Sequence, residues 1–176
     1  MPEQTFYRIL TNAALLCYTV VRMKGVKSME LPFEPLTKED LSACYELCMQ
    51  SFSESVPKEE VERAFALCSK DPSYRLVAGK LDGKVVAYAT LHFFRTVFDG
   101  MRPMATIWYV CVDPAYRSRG IGKALFAELC RICEQEQCLE IVLTCLPENE
   151  GAQRFYRSLG FRDDLERAFV RYYFEP

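Results

Sequence analysis

The segment Arg117-Ser-Arg-Gly-Ile-Gly122 constrains the fold most strongly, because it joins a strand pattern to a helix pattern. The run before it, from Ala105 to Val112, is apolar and rich in β-branched residues, which predicts a buried strand. Beyond it, apolar residues recur at Ile121, Leu125 and Leu129, the spacing of one helix face. The two glycines are therefore predicted to lie where a strand turns into a helix.

The start of this helix has the character of an anion site. Amides in the first turn of a helix have no acceptor within the helix, and the helix dipole is positive there. Glycine lets a ligand approach the bare backbone, and Arg117, Arg119 and Lys123 add positive charge. The pattern indicates a phosphate or pyrophosphate ligand, although a solvated glycine-rich turn is an alternative.

Two common phosphate-binding patterns do not fit this segment. A dinucleotide-binding turn requires a third glycine, and none follows Gly122 within the next ten residues. A nucleotide-binding phosphate loop requires Ser or Thr after Gly-Lys, where this chain has Gly122-Lys-Ala124 and lacks the hydroxyl that would hold magnesium. Both classes are set aside.

The chain instead resembles the Gcn5-related N-acetyltransferase (GNAT) superfamily. In that superfamily an Arg/Gln-x-x-Gly-x-Gly/Ala loop binds the pyrophosphate of acetyl-CoA, and Arg117 to Gly122 match it. A second superfamily motif, Asn-x-x-Ala-x-x-Phe-Tyr-x-x-x-Gly-Phe, is matched in full from Asn149 to Phe161. The resemblance covers roughly residues 30–176.

The resemblance implies an α/β fold with a mixed, mostly antiparallel central sheet, splayed parallel strands at the cofactor site and helices on both faces. It implies acetyl transfer from acetyl-CoA, as co-substrate, to a primary amine by direct attack on the thioester. The strand before the loop would bind the pantetheine arm through its backbone. The cofactor-binding residues carried over are Val110, Cys111, Val112, Arg117, Ser118, Arg119, Gly120, Ile121, Gly122, Lys123, Asn149 and Tyr156.

Two residues are expected to move protons. The superfamily's motif tyrosine, here Tyr156, would donate a proton to the departing sulfur, the alternative being a packing role in the core. Many members of the superfamily carry a glutamate on the strand that precedes the pyrophosphate-binding loop. In this chain no carboxylate occurs on that strand from Ile107 to Val112. His92 is therefore the candidate base, with Tyr109 or ordered water as alternatives. A weak base favours an amine of low pKa, such as an amino sugar or an α-amine.

Composition bounds the remaining possibilities. A chain of 176 residues is expected to form one substantial core, and a net charge of −2 without long like-charge runs argues against a nucleic-acid partner. Nine cysteines, an odd number spread through apolar segments, favour reduced thiols in a cytoplasmic protein over a disulfide framework. Cys130 and Cys133 have no second Cys pair and no histidine nearby, so no metal site is expected.

The chain is expected to divide into an extension at residues 1–28 and an acetyltransferase domain at residues 29–176. The apolar run from Ile9 to Val21 is too short to span a bilayer, which needs about 20 residues, so no membrane partner is predicted. We expect the extension to form an extra helix; a secretory signal is the alternative.

Pattern and turn signals predict the remaining elements. Asp82-Gly83 is typical of a type I′ hairpin turn, and Thr37 to Asp40 resembles a capping box. The partner is expected to be a small-molecule amine, with a homodimer possible; a silent acyl-CoA-binding domain and an acyltransferase for longer acyl groups are the rival functions. The predicted strands are 30–36, 74–81, 84–94, 104–112, 140–144 and 169–174, and the predicted helices are 37–51, 58–69, 120–135 and 150–159.

Overall fold

The computed structural model describes residues 31–52, 56–171 and 173. These residues form one five-stranded sheet and four α-helices, with a short 3₁₀ turn at Pro114–Tyr116. The strands are β1 (Phe33–Pro35), β2 (Tyr74–Leu81), β3 (Lys84–Arg95), β4 (Pro103–Val112) and β5 (Ile141–Val142). The helices are α1 (Leu41–Phe52), α2 (Lys58–Cys68), α3 (Ile121–Gln135) and α4 (Glu150–Ser158).

The sheet is mixed and mostly antiparallel, as predicted. Its strands lie in the order β1-β2-β3-β4-β5, and only the β4–β5 pair is parallel. The β2–β3 hairpin turns at Asp82 and Gly83, whose φ angles are 50° and 77°. Two successive positive φ values are characteristic of the type I′ turn that the sequence indicated.

The parallel strands separate soon after they pair. Only Ala105 and Thr106 of β4 are in register with β5, opposite Ile141 and Val142, whereas β4 continues to Val112. The outer edge of β4 beyond Thr106 is therefore not covered by β5. This opening corresponds to the splayed parallel strands that the resemblance implied.

Helices cover both faces of the sheet. On one face, Leu125, Phe126 and Leu129 of α3 are almost fully buried against a cluster that includes Leu91 of β3. On the other face, α1 packs its buried side onto the sheet, with Val61 and Phe65 of α2 beside it. The α1 side of this second core includes Leu41, Cys44, Leu47 and Cys48, and the sheet contributes Ala78, Val85, Tyr88 and Cys111.

Two expectations about the C-terminal half were wrong. The strand predicted at 169–174 is absent from its described residues, 169–171 and 173, and Phe169 is 92% exposed. The strand predicted at 140–144 is reduced to Ile141–Val142. Alternating apolar residues form a strand only when a neighbouring edge supplies hydrogen bonds, and β5 has only two paired residues. The predicted helix of the 1–28 extension lies outside the described residues.

Candidate active site

The loop before α3 leaves backbone amides available to a ligand. Gly120 precedes the helix with φ at 85°, and Ser118 also adopts a positive φ, at 60°. The first helical hydrogen bond runs from the Ala124 amide to the Gly120 carbonyl at 3.0 Å. The amides of residues 121–123 therefore have no helical acceptor, and the residue that precedes the helix makes no side-chain cap.

Positive charge surrounds these amides. Arg117, Arg119 and Lys123 flank the helix start, and the first turn of α3 contains no acidic residue. The nearby Asp113 carboxylate pairs with Lys84 at 2.8 Å, and this contact holds the pKa of Asp113 below its ordinary value. Free amides, a positive helix end and three basic side chains suit a pyrophosphate. We refer to residues 117–123 as the cradle.

A β-bulge in β4 sets the direction of the backbone that leads to the cradle. The β3–β4 register shifts between Tyr88 and Thr90, and Tyr109 has a φ of 54°. Past the bulge, the Asp113 amide donates to Val86 of β3 at 2.9 Å, whereas the Val112 carbonyl accepts from Arg117 Nε at 3.0 Å.

Successive backbone amides of a strand point to opposite edges, which gives the direction of the other amides at the end of β4. Because Asp113 faces β3, Cys111 also faces β3, and Val110 and Val112 face the open edge of β4. The Cys111 side chain is buried in the core beside α1, with its Sγ 3.8 Å from that of Cys48. Its expected backbone role toward the pantetheine arm is therefore better suited to Val110 and Val112.

Helix α4 carries the second motif. The Asn149 side chain accepts a hydrogen bond from the Ala152 amide at 3.0 Å and so caps the helix, a role that the sequence analysis did not assign to it. Gly160, with φ at 92°, follows the end of the helix. Both residues fix the ends of the helix that holds Tyr156.

Tyr156 is half-buried in an aromatic cluster. Its ring centroid lies 5.6 Å from those of Phe126 and Phe155 and 6.1 Å from that of Phe161. Burial, with a smaller contribution from Cys145, raises the pKa of the Tyr156 phenol. Among the described residues the hydroxyl makes no hydrogen bond, so a protonated donor remains free to act on a ligand. The packing role and the donor role are compatible.

A cavity of about 530 Å³ lies between helices α1 and α2 and strands β2 to β4. His92 lines it and stacks against Tyr74, with ring centroids 4.5 Å apart. Trp108 and Tyr109 of β4 line it as well. The two alternative bases, His92 and Tyr109, thus share one cavity, whereas Tyr156 is not among its lining residues.

The cavity also contains polar groups that the sequence analysis missed. Tyr45 donates to the Val56 carbonyl at 2.9 Å, and the hydroxyls of Tyr88 and Thr90 lie 2.8 Å apart. Glu60 of α2 is a further lining residue. The period-two spacing of Tyr88, Thr90 and His92 on a predicted strand was the available signal for a shared face. Nothing in the sequence indicated Tyr45 or Glu60.

Two further observations concern metals and membranes. Within residues 31–52, 56–171 and 173, no group of three or more His, Cys, Asp or Glu side chains could hold a metal ion. No helix in the described part of the chain has the length and apolar content needed to cross a bilayer.

Comparison with known proteins identifies the family of this chain. A model of the acetyltransferase (GNAT) family matches residues 41–161. The glucosamine 6-phosphate N-acetyltransferase of Trypanosoma brucei brucei is 31% identical over 137 residues, covering 76% of this chain and 90% of the relative. The N-alpha-acetyltransferase RimI of Mycobacterium tuberculosis is 31% identical over 139 residues, covering 77% of this chain and 82% of the relative.

A solved acetyltransferase structure from Trypanosoma brucei superposes with a TM-score of 0.69 at 26% identity, covering 81% of this chain and 100% of that one. The matched region contains both the cradle and α4, so the resemblance read from the two motifs is confirmed. A family match over most of the described residues, with relatives that are N-acetyltransferases over most of their own length, makes this chain an N-acetyltransferase of the GNAT family.

Proposed function

We propose that the enzyme transfers an acetyl group from acetyl-CoA to the primary amine of a small molecule by direct attack on the thioester. The observation that carries the proposal is that β4 joins the cradle to the cavity. The Val112 carbonyl at the end of β4 accepts a hydrogen bond from Arg117 of the cradle, and Tyr109 of the same strand lines the cavity. A donor bound along the open edge of β4 would therefore meet an amine in the cavity.

Each part of the site has a distinct task in this scheme. The amides of residues 121–123, with Arg117, Arg119 and Lys123, bind the pyrophosphate. The outward-facing backbone of Val110 and Val112 binds the pantetheine arm. Asn149 acts indirectly, because its cap orients α4 and the tyrosine that α4 carries.

The reaction needs one proton removed and one supplied. The amine nitrogen attacks the thioester carbonyl carbon, a C–N bond forms and the C–S bond breaks. The proton that the amine loses passes to ordered water or to His92 in the cavity, and Tyr156 supplies a proton to the sulfur of the leaving CoA. A phenol is protonated at neutral pH at its ordinary pKa, as a donor requires, and burial raises the pKa of Tyr156 further.

The test measures donor binding and turnover separately. Calorimetry with acetyl-CoA should show stoichiometric binding, and thiol release should be faster with acetyl-CoA than with propionyl- or succinyl-CoA over a panel of primary amines. Binding without turnover of any amine would indicate a silent acyl-CoA-binding domain. Faster release from a longer acyl donor would indicate a different acyltransferase.

A further inference from the structure

We infer that the acceptor is an apolar amine that carries an aromatic ring, rather than a sugar phosphate or a polycation. The inference rests on the proposed function, because it identifies the cavity beside β4 as the acceptor site. It differs from the preference for an amino sugar or α-amine that the missing β4 carboxylate suggested. The lining of the cavity, which the sequence does not disclose, is the reason for the change.

The cavity wall is aromatic and apolar. Its aromatic members lie on both walls of the cavity, on helices α1 and α2 and on strands β2 to β4. Trp108 is 52% exposed, which leaves part of its ring surface available to a ligand. A cavity of about 530 Å³ is the size of a small-molecule site. The aromatic residues of the wall are Tyr45, Phe65, Tyr74, Tyr88, Trp108 and Tyr109.

The charges of the cavity exclude a phosphate and a polycation. No Lys or Arg is among its described lining residues, so a bound phosphate would lose water without gaining a counter-charge. Glu60 is the only carboxylate among them, and its Oε1 lies 3.9 Å from Arg63. A single shared acid suits one ammonium group, which the ring faces can also attract. Several ammonium groups would lack partners.

The hydroxyl groups of the cavity argue against a sugar. Tyr45 is already bonded to the Val56 carbonyl, and Tyr88 and Thr90 are bonded to each other. The hydroxyls of a sugar buried here would meet these three hydroxyls already paired, and each sugar hydroxyl left without a partner would weaken binding. An aromatic ring needs no such partners and gains from burial and from stacking on the wall.

The chain contains a single tryptophan, Trp108, so its fluorescence reports directly on this cavity. The enzyme would be titrated with 2-phenylethylamine and, separately, with glucosamine 6-phosphate, and kcat/KM would be measured for both with acetyl-CoA. We expect a saturable change in Trp108 fluorescence with 2-phenylethylamine only. We also expect kcat/KM for 2-phenylethylamine to exceed kcat/KM for glucosamine 6-phosphate by on the order of 10²-fold, the effect of burying one aromatic ring.

A matched pair of variants on α2 tests the location. Phe65→Ala removes a ring from the wall, whereas Leu67→Ala removes a side chain that is 74% exposed and does not line the cavity. Phe65→Ala should raise KM for 2-phenylethylamine by roughly 10-fold or more, and Leu67→Ala should leave it unchanged. The fluorescence titration of the unaltered enzyme gives an answer even if Phe65→Ala does not fold.

The outcomes separate this inference from the proposed function. Acetyl-CoA binding accompanied by preferred turnover of glucosamine 6-phosphate, or of a peptide amino terminus, would overturn the aromatic acceptor and leave N-acetyl transfer intact. Equal fluorescence responses to both amines would overturn it as well. Failure of acetyl-CoA to bind at all would instead reject the proposed function.

Discussion

Gly122 of the cradle lies directly against Phe155 of the second motif. A Cβ atom on residue 122 would stand 3.2 Å from Cζ of Phe155, closer than an ordinary van der Waals contact. Phe155 cannot easily withdraw, because its ring also packs edge-to-face on Phe126 at 5.6 Å. The missing side chain at position 122 thus allows α3 and α4 to meet, and the two motifs form one structural unit.

The two cradle glycines should respond differently to substitution. Gly122→Val should force α3 and α4 apart, lower the free energy of unfolding by about 1–3 kcal/mol and abolish acetyl-CoA binding. Gly120→Asn should leave the fold intact, because asparagine tolerates a positive φ and, its chain neighbours aside, no atom of the described residues lies within 4 Å of the new Cβ. Its side chain should still weaken acetyl-CoA binding. Thermal unfolding and calorimetry distinguish the two effects.

Lys123→Ala is the matched control for the cradle and should weaken acetyl-CoA binding only modestly, since the main chain supplies most contacts. If both glycine variants bound acetyl-CoA as tightly as the parent, the cradle would not be the pyrophosphate site.

Removal of the Tyr156 hydroxyl should slow chemistry without loosening the fold. Tyr156→Phe keeps the ring in its aromatic cluster and should reduce kcat by about 10² to 10⁴, with little change in acetyl-CoA affinity. The control is Tyr116→Phe, whose ring lies beneath Arg119 and whose hydroxyl has no assigned role. An unchanged kcat would leave Tyr156 with a packing role only.

The pH dependence of kcat/KM should identify the base. With two amines of different basicity, we expect the rising limb to follow the pKa of the amine, since β4 carries no carboxylate from 107 to 112. A limb that lies at the same pH for both amines and disappears in His92→Gln would instead make the histidine the base. A fixed limb near pH 4 to 5 would indicate a carboxylate, and Glu60 would be tested first.

An ion pair fastens the start of α1 to β2. Asp40 and Lys80 lie 2.5 Å apart, and Lys80, followed by Thr37, holds the pKa of Asp40 below its ordinary value of 3.8. A carboxylate whose pKa is lowered by folding stabilises the folded state at pH values above its ordinary pKa. This stabilisation is lost as the pH falls through the lowered pKa. Asp40→Asn should therefore be less stable than the parent at pH 7, with the difference in Tm disappearing in strong acid. A difference that persisted in acid would assign the effect to lost packing.

Residues 1–28 should be dispensable for chemistry. A chain that begins at Met29 retains every described element, because the first, β1, starts at Phe33. We expect it to fold and to bind acetyl-CoA with the affinity of the full chain. A folded, shortened chain that failed to bind acetyl-CoA would show that the extension belongs to the site.

The sequence by itself determined the elements whose cause is local. Gly120 and Gly122 specified a strand-to-helix turn, Asp82-Gly83 specified a hairpin, and the two motifs specified the family. For the two turns the decisive interaction lies within a few residues, a positive φ at Gly120, Asp82 and Gly83 and the unpaired amides of a helix start. Such features can be read from consecutive residues without knowledge of the rest of the chain.

Only the tertiary structure decided what the cavity contains. Tyr45 and Glu60 from two helices meet His92 and Trp108 from two strands, and the local sequence of each is compatible with an ordinary exposed or core position. The prediction of a strand at 169–174 was wrong for the same reason. Alternating side chains can be read from the sequence, but the neighbouring strand that would supply hydrogen bonds cannot. Which surfaces meet depends on the packing of both sheet faces and on where β5 leaves β4. These are contacts between residues far apart in the chain, and no local pattern encodes them.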